Sequence, residues 1–444
     1  MLARAIPFSV SDARKSLALL PEQAGVFALF GADPAAEPYL SKATNLRRRL
    51  MRFLSPQVGQ SRRLQLAAMV VRIEYSTTGS DFESQLILYA ASRQAFGERA
   101  SKRLRLRTPY FLRMASQNPY PRVYVTNKVT KSAEGSLFGP FPSRNAAERF
   151  CDESLNLFLL RRCHEDLNPD PTFPGCAYSE MKMCLAPCFK GCTDERYAEE
   201  TAAVRQFFAT RGASLLKELE ANRNRASEAL EFEAAAQIHV RMQKVAAAAG
   251  LAAEIVRPLA ELDAIILQPS AEEQQVAVFL VAKGRLAGPA QYSTVGMRHP
   301  NEQSGSSSLF AHPTAIEPVL LEGTVAGAEE AGPVLAASRD VLEQRLEEAV
   351  AGLRAELESR GRANADVLGA ELCLLARWYF RPAARRVGEI FFADASGEFP
   401  RKAILRGISR VFRSGRGSPV REESGAAAAD GGIQTGTLES PAEA

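Results

Sequence analysis

The sequence is short of long apolar runs and, outside one segment, of cysteine. No apolar stretch in the 444 residues approaches the roughly 20 that cross a bilayer, and the amino terminus lacks the charged-then-apolar pattern of an exported protein. A membrane partner is therefore not expected, and a cytoplasmic location is. The seven cysteines are odd in number and sparse over most of the chain, which argues against a disulfide framework. Proline is missing between residues 193 and 253, no internal repeat is evident, and the net charge is only +4. The 46% hydrophobic content is ordinary for a soluble globular protein, and the length accommodates two or three domains, each with its own core.

What cysteine there is gathers in one place. Cys163, Cys176, Cys184 and Cys188 fall within 26 residues, with Cys192 close behind. Intervals of twelve, seven and three residues, bent by Pro174, Gly175 and Pro187, allow four thiolates to converge as soft ligands on an iron–sulfur cluster or a zinc ion. Zinc sites usually present two tight pairs, and this run has one close pair and two longer gaps, so the spacing favours a cluster. Cys151 and Cys373 are isolated and read as buried structural thiols.

Arginine is unevenly distributed. Arg47, Arg48, Arg49, Arg52, Arg62 and Arg63 form one group, and Arg99, Lys102, Arg103, Arg105, Arg107 and Arg113 a second. Two such groups in one small domain suit a phosphate backbone, where binding is driven by counterion release.

Periodicity predicts an α+β multidomain chain. Residues 24–31, 67–76 and 122–126 read as strands. Leucines 46, 50 and 54 have helical spacing, 82–100 carries Phe82, Leu86 and Tyr89 on one stripe, and a further helix is expected around 144–161. The alanine-rich segment 193–253 reads as two long antiparallel helices. Runs at 264–267 and 276–281 suggest a meander, followed by a polar loop at 301–308, a linker at 322–336 and a helix at 338–361. The end, rich in Gly, Ser and Ala, is too poor in large apolar groups to order itself. The resulting division is a small α/β domain at 15–128, a cysteine-cluster domain at 129–194, a helical hairpin at 195–255, a divergent α/β region at 260–412 and a disordered tail at 413–444.

The blocks Leu137–Pro142, Leu157–Cys163 and Met183–Cys188 resemble the UvrC-type family, the dual-incision component of the bacterial excinuclease ABC system of nucleotide excision repair. The amino-terminal segment is similar to that family's GIY-YIG nuclease domain. Leu230–Ala236 resembles its UVR motif, and Leu262 through Gly288 resembles its middle region. The resemblance covers roughly residues 15–295, in the family's order. It implies a four-iron cluster on Cys163, Cys176, Cys184 and Cys188, with zinc as the alternative. It also implies DNA contacts by Arg47, Arg48, Arg52, Arg103, Arg105 and Arg107, and docking of an excinuclease B-type protein on Leu230, Phe232, Glu233 and Ala236.

Against that resemblance the nuclease signature is damaged. The family surrounds one divalent ion with two tyrosines, a lysine, an arginine, a glutamate and usually an asparagine. Tyr39, Lys42 and Arg49 match, but Phe27 stands for the first tyrosine, Tyr89 for the metal-binding glutamate and Phe111 for the asparagine. Glu83, six residues before Tyr89, is about 240° away around a helix and cannot substitute. The family's RNase H-like nuclease and helix-hairpin-helix repeats are not recognisable. Asp394 reads as a turn residue followed only by Glu398 before the tail, and His312 is the last histidine. The expectation is a DNA-binding protein of nucleotide excision repair with impaired or lost GIY-YIG cleavage, needing Mg²⁺ or Mn²⁺ only if the nuclease is active. The alternatives are a structure-selective endonuclease recruiting Glu74 or Asp81, and an iron–sulfur redox sensor that binds nucleic acid.

Overall fold

A computed structural model describes residues 2–54, 67–115, 118–130, 135–165, 167–297 and 337–416. Arg62, Arg63, His312, the expected loop at 301–308, the expected linker at 322–336 and the tail beyond 416 lie outside the described residues. The chain is α+β and multidomain, and its described residues form three four-stranded antiparallel sheets.

The first sheet uses β1 (Arg4–Pro7), β2 (Gly25–Gly31), β3 (Tyr39–Ala43) and β4 (Val70–Thr77) in the order β1-β4-β2-β3. Helix α1 (Ala13–Ala18) and α2 (Leu46–Leu54) cover one face. The leucine stripe of α2 explains why it lies there: Leu46, Leu50 and Leu54 are buried against Phe27, Leu29, Ile73 and Tyr75. Helix α3 (Asp81–Phe96) follows β4, with α4 (Arg99–Arg103) after it. Ser80 caps α3 by accepting from the Glu83 amide, and the Glu83 carboxylate reaches back to the Gly79 amide at 2.8 Å. Glu83 is thereby committed to the helix start, and burial pushes its carboxyl up to about 7.

The second sheet takes β5 (Tyr110–Met114), β6 (Val123–Thr126) and β7 (Leu137–Phe141), so pairing crosses the expected boundary at residue 128. Its order is β6-β5-β7-β8, the last strand, β8 (Arg257–Pro258), arriving only after a run of helices. These are α5 (Arg144–Leu155), the short α6 (Ala177–Glu180), α7 (Asp194–Ala209), α8 (Ala213–Glu228) and α9 (Phe232–Ala249). Phenylalanines join sheet to helices: Phe150 sits 5.5 Å from Phe141 and 5.7 Å from Phe208, centroid to centroid, and Phe138 sits 5.2 Å from Phe208.

Where two long helices were expected between 193 and 253, there are three. The break after α7 falls at Arg211 (φ +51°) and Gly212 (φ +82°), and the break after α8 falls at Leu230 (φ +61°). Leu230 is therefore a turn residue and not, as expected, part of a helix face.

The third sheet is ordered β11-β10-β9-β12 from β9 (Ala264–Pro269), β10 (Gln275–Ala282), β11 (Arg285–Ser293) and β12 (Glu389–Phe392). Lys283 and Gly284, both at positive φ, make the two-residue hairpin between β10 and β11. The apolar runs of β9 and β10 are continuous because both faces are covered. Ile265, Leu267, Val278 and Leu280 face α10 (Arg339–Ser359) and α12 (Arg401–Arg416). Ala264, Ile266, Phe279 and Val281 join the large central core with α11 (Ala365–Tyr379). Helix α12 runs to residue 416, past the point where the tail was expected to begin.

Helix α3 docks the first unit onto the third. The Phe82 ring lies 5.2 Å from both the Phe279 and Trp378 rings, and a Cβ on Gly79 would fall 2.2 Å from the Pro269 carbonyl oxygen.

Candidate cysteine-cluster and nucleic-acid sites

Four elements hold the cysteine loop. It leaves α5, passes β5–β6 and returns into α7, whose first turn is capped by Thr193. Cys163, Cys176, Cys184 and Cys188 are all half-buried and none is in a disulfide. Burial, reinforced by proximity to Cys163, Cys176 and Cys188, pushes the Cys184 thiol up to about 11, so the loop brings the four toward one region. Cys192 is likewise half-buried and in no disulfide. Among the described residues, no three His, Cys, Asp or Glu side chains stand close enough to share one metal ion. Lys182, Ala186 and Lys190 all hold left-handed backbone around Cys184 and Cys188, a conformation costing roughly 1–2 kcal/mol per residue.

Sequence reasoning gives Arg161 no role, although it stands within a family-like motif; the structure makes it the floor of this loop. Its side chain is among the largest fully buried ones, at 2% exposure. Nε donates to the Tyr120 carbonyl at 2.8 Å, and Nη1 donates to the Glu165 carbonyl at 2.7 Å and lies 3.5 Å from Cys163 Sγ. Tyr197 completes the floor, accepting from the Arg161 amide at 3.2 Å and donating to the Pro121 carbonyl at 2.8 Å. Among the described residues this buried guanidinium is held by carbonyls and a cysteine sulfur, with no carboxylate to offset its charge.

Of the nuclease-like residues, Phe27, Tyr39 and Arg49 gather around Phe53, whereas Lys42 and Phe111 stand apart from them. On β3, Tyr39 and Lys42 are three positions apart and so project to opposite sides. Tyr39 faces α2, 5.5 Å from the Phe53 ring and 6.2 Å from Phe27, and Arg49 lies over Phe53 at 5.8 Å. Lys42 instead pairs with Asp81 at the start of α3, and Asp81 also pairs with Arg381. These cations, with a hydrogen bond from Gln85, hold the Asp81 carboxyl below its ordinary value against the opposing effect of burial. Glu74 accepts from the Leu2 amide at 3.1 Å and pairs with Arg72 at 3.2 Å. Phe27 is fully buried, and Tyr89 is 5% exposed, with Arg93 and Ser101 near its hydroxyl. Phe111 belongs to β5, inside the second sheet, where its ring closes on Gly139.

Of the arginines singled out from sequence, Arg48, Arg52, Arg103, Arg105 and Arg107 are exposed. Arg47 is tied to Glu22 at 2.6 Å, and Arg103 shares Glu37 with Arg99. Arg48 and Arg52, one helical turn apart, share the outer face of α2. At the α8–α9 turn, Leu230 is 71% and Phe232 65% exposed, with Glu233 and Ala236 exposed beside them. Cys151 and Cys373 are buried, and Asp394 closes its own turn by accepting from the amides of Ser396 and Glu398.

Residues 109–207 match the family described as UvrC/Cho excinuclease, middle domain. Similar curated proteins include UvrABC system protein C of Proteus mirabilis (strain HI4320), 29% identical over 238 residues, covering 53% of this chain and 38% of that protein. The protein of the same name from Mannheimia succiniciproducens is 27% identical over 282 residues, 63% of this chain and 46% of the relative. That of Symbiobacterium thermophilum is 29% identical over 301 residues, 67% and 46% respectively. The chain thus spans less than half the length of these relatives. No solved structure matches. The family match takes in β5–β7, α5, Arg161 and all five clustered cysteines, and over that span the chain is similar to the UvrC-type family.

Proposed function

We propose that this chain is an excinuclease C-like, DNA-binding protein of nucleotide excision repair that has lost GIY-YIG cleavage. The observation that carries the reading is the arrangement around β3. Phe27 supplies no hydroxyl, Lys42 is engaged by Asp81, and Tyr89 occupies the carboxylate position. A hard divalent ion there lacks the anionic ligand it needs to act as a Lewis acid. The rival endonuclease reading required Glu74 or Asp81 as that ligand. Asp81 is held by Lys42 and Arg381, and Glu74 by Arg72 and the Leu2 amide.

In this reading Cys163, Cys176, Cys184 and Cys188 hold an iron–sulfur cluster, for which the donor set is suitable. A cluster spreads its ligands more widely than a single ion, and its anionic thiolates supply the counter-charge that buried Arg161 lacks. When bound, the cluster supplies negative charge and a covalent tie across the loop. Arg161 and Tyr197 fix the loop against α7, and the left-handed residues are retained because ligation over-determines them.

Exposed arginines on α2 and after α4 hold the DNA backbone. Fluorescence anisotropy with bubble DNA tests this directly. The double variant Arg48→Glu/Arg52→Glu is expected to bind about tenfold more weakly, with a salt slope reduced by about 0.9 for each phosphate no longer neutralised. Unchanged affinity and slope would remove α2 from the interface.

The exposed Leu230 and Phe232 at the α8–α9 turn form the dock for an excinuclease B-type protein. Leu230→Asp should abolish co-purification with that protein while leaving the melting temperature unchanged, because the side chain touches little in the free chain. Retained co-purification would place the dock elsewhere.

A further inference from the structure

The proposed function leaves helix α12 unused. It carries Arg401, Lys402, Arg406, Arg410, Arg413 and Arg416 and contains no Asp or Glu. At about 100° per residue the two sides of this helix separate. Ile404, Ile408, Val411 and Phe412 form the inner stripe, each 8% exposed or less and packed with the core residues of β9 and β10. Gly407 belongs to the same side, where an added Cβ would fall 2.5 Å from the Phe391 ring. Lys402, Arg406 and Arg413 lie within about 40° of one another on the opposite side, and all three are exposed. From Lys402 to Arg413 the stripe runs about 16 Å along the helix.

These three cations differ from their neighbours in having no acidic partner among the described residues. Arg401 pairs with Glu347 at 2.5 Å and Arg410 with Glu389 at 2.5 Å, so both are neutralised in place. Arg413 donates only to the Ser409 carbonyl of its own helix, from Nε at 3.2 Å. Glu272 and Glu273 line a hollow with Val411, Phe412 and Gly415, on the inner side, and Glu398 lies with Phe399 and Arg401 where the helix starts. The outer stripe therefore keeps three uncompensated positive charges at helical intervals.

A basic amphipathic helix can lie in a membrane interface when its apolar side is free to enter the lipid. Here that side is spent in the core, and only the charged side faces outward. Phe412 is the one aromatic residue of the helix and is buried, so the outer stripe has no ring on which an unpaired base could stack. Long cationic side chains in a row, without aromatics between them, suit phosphates along a duplex, held by counterion release and without reading bases.

We propose that the outer face of α12 is a second contact for the phosphate backbone of duplex DNA, independent of sequence and separate from α2. The inference rests on the DNA-binding reading above, and adds a surface on the third unit to the one on the first.

The test is equilibrium binding of the full chain to two duplexes of equal length and unrelated sequence across a salt series. Lys402→Ala/Arg406→Ala/Arg413→Ala places good helix formers at exposed positions, so its melting temperature should match that of the unmodified protein. It is expected to bind both duplexes about tenfold more weakly, with the slope of log K against log salt reduced by about 0.9 for each of the three cations, and Arg406→Ala alone by about 0.9. Lys217→Ala/Arg241→Ala/Lys244→Ala removes the same charge from α8 and α9 and should leave affinity and slope unchanged. Unaltered affinity and slope in the α12 variants, an equal loss in the α8–α9 variant, or a loss on one duplex alone would overturn this inference while the α2 contact stands. Absence of duplex binding by the unmodified chain would overturn both.

Discussion

Replacing Cys184 by serine is expected to strip iron and acid-labile sulfide from the anaerobically purified protein to background and to lower the unfolding temperature of the middle region. Cys184 is one of the four thiols of the donor set, and its loss leaves three. A serine hydroxyl has no comparable softness and does not replace a thiolate on iron. The consequences extend beyond ligation. Arg161, at 2% exposure and 3.5 Å from Cys163 Sγ, would keep its charge without the anionic neighbours that offset it. Breaking such a buried arrangement from one side typically costs about 3–5 kcal/mol. The left-handed residues Lys182, Ala186 and Lys190 would also lose the constraint that holds them. Cys373→Ser, in α11 and away from the loop, is the control and should retain full iron. Stoichiometric zinc without sulfide in the unmodified protein, or iron retained by Cys184→Ser, would contradict the cluster assignment.

Phe82→Ala should destabilise the protein by about 3–5 kcal/mol and split a single unfolding transition into two. Phe82 is 2% exposed and places its ring against Phe279 of β10 and Trp378 of α11, both at 5.2 Å. It belongs to α3, which is otherwise part of the first unit, so truncation empties the contact that makes the first and third units one cooperative body. The Asp81–Arg381 pair is exposed on both sides and cannot compensate. Urea unfolding followed by far-UV circular dichroism and by Trp378 fluorescence measures both effects. A loss below about 1 kcal/mol with coincident transitions would show that the units are held together by other means.

Local signals make part of this architecture legible. The leucine stripe of α2 is visible in the periodicity, and the caps at Ser80, Ser143 and Thr193 each accept from the amide three residues on, in the manner such residues imply. The unbroken apolar runs of β9 and β10 mark strands covered on both faces. What stays hidden is non-local or depends on backbone sign. Alanine-rich composition conceals two helix breaks, because only Gly212 hints at the first and nothing hints that Leu230 adopts positive φ. The pairing of Lys42 with Asp81, and of Asp81 with Arg381, joins residues up to 300 positions apart. Helix α12 carries a readable stripe of Ile404, Ile408, Val411 and Phe412, but its end borders a low-complexity tail that masks where the helix stops.

Binding without hydrolysis is the central claim, and one measurement addresses it most directly. The purified protein is incubated with end-labelled damaged, bubble and flapped DNA in EDTA, Mg²⁺ and Mn²⁺, and each reaction is divided between a native gel and a denaturing gel. The account predicts a shifted complex in all three conditions and intact strands in all three. Strand scission that requires Mg²⁺ or Mn²⁺ and disappears in Arg49→Ala would contradict it, and would show that the residues around β3 assemble a working metal site despite Phe27 and Tyr89.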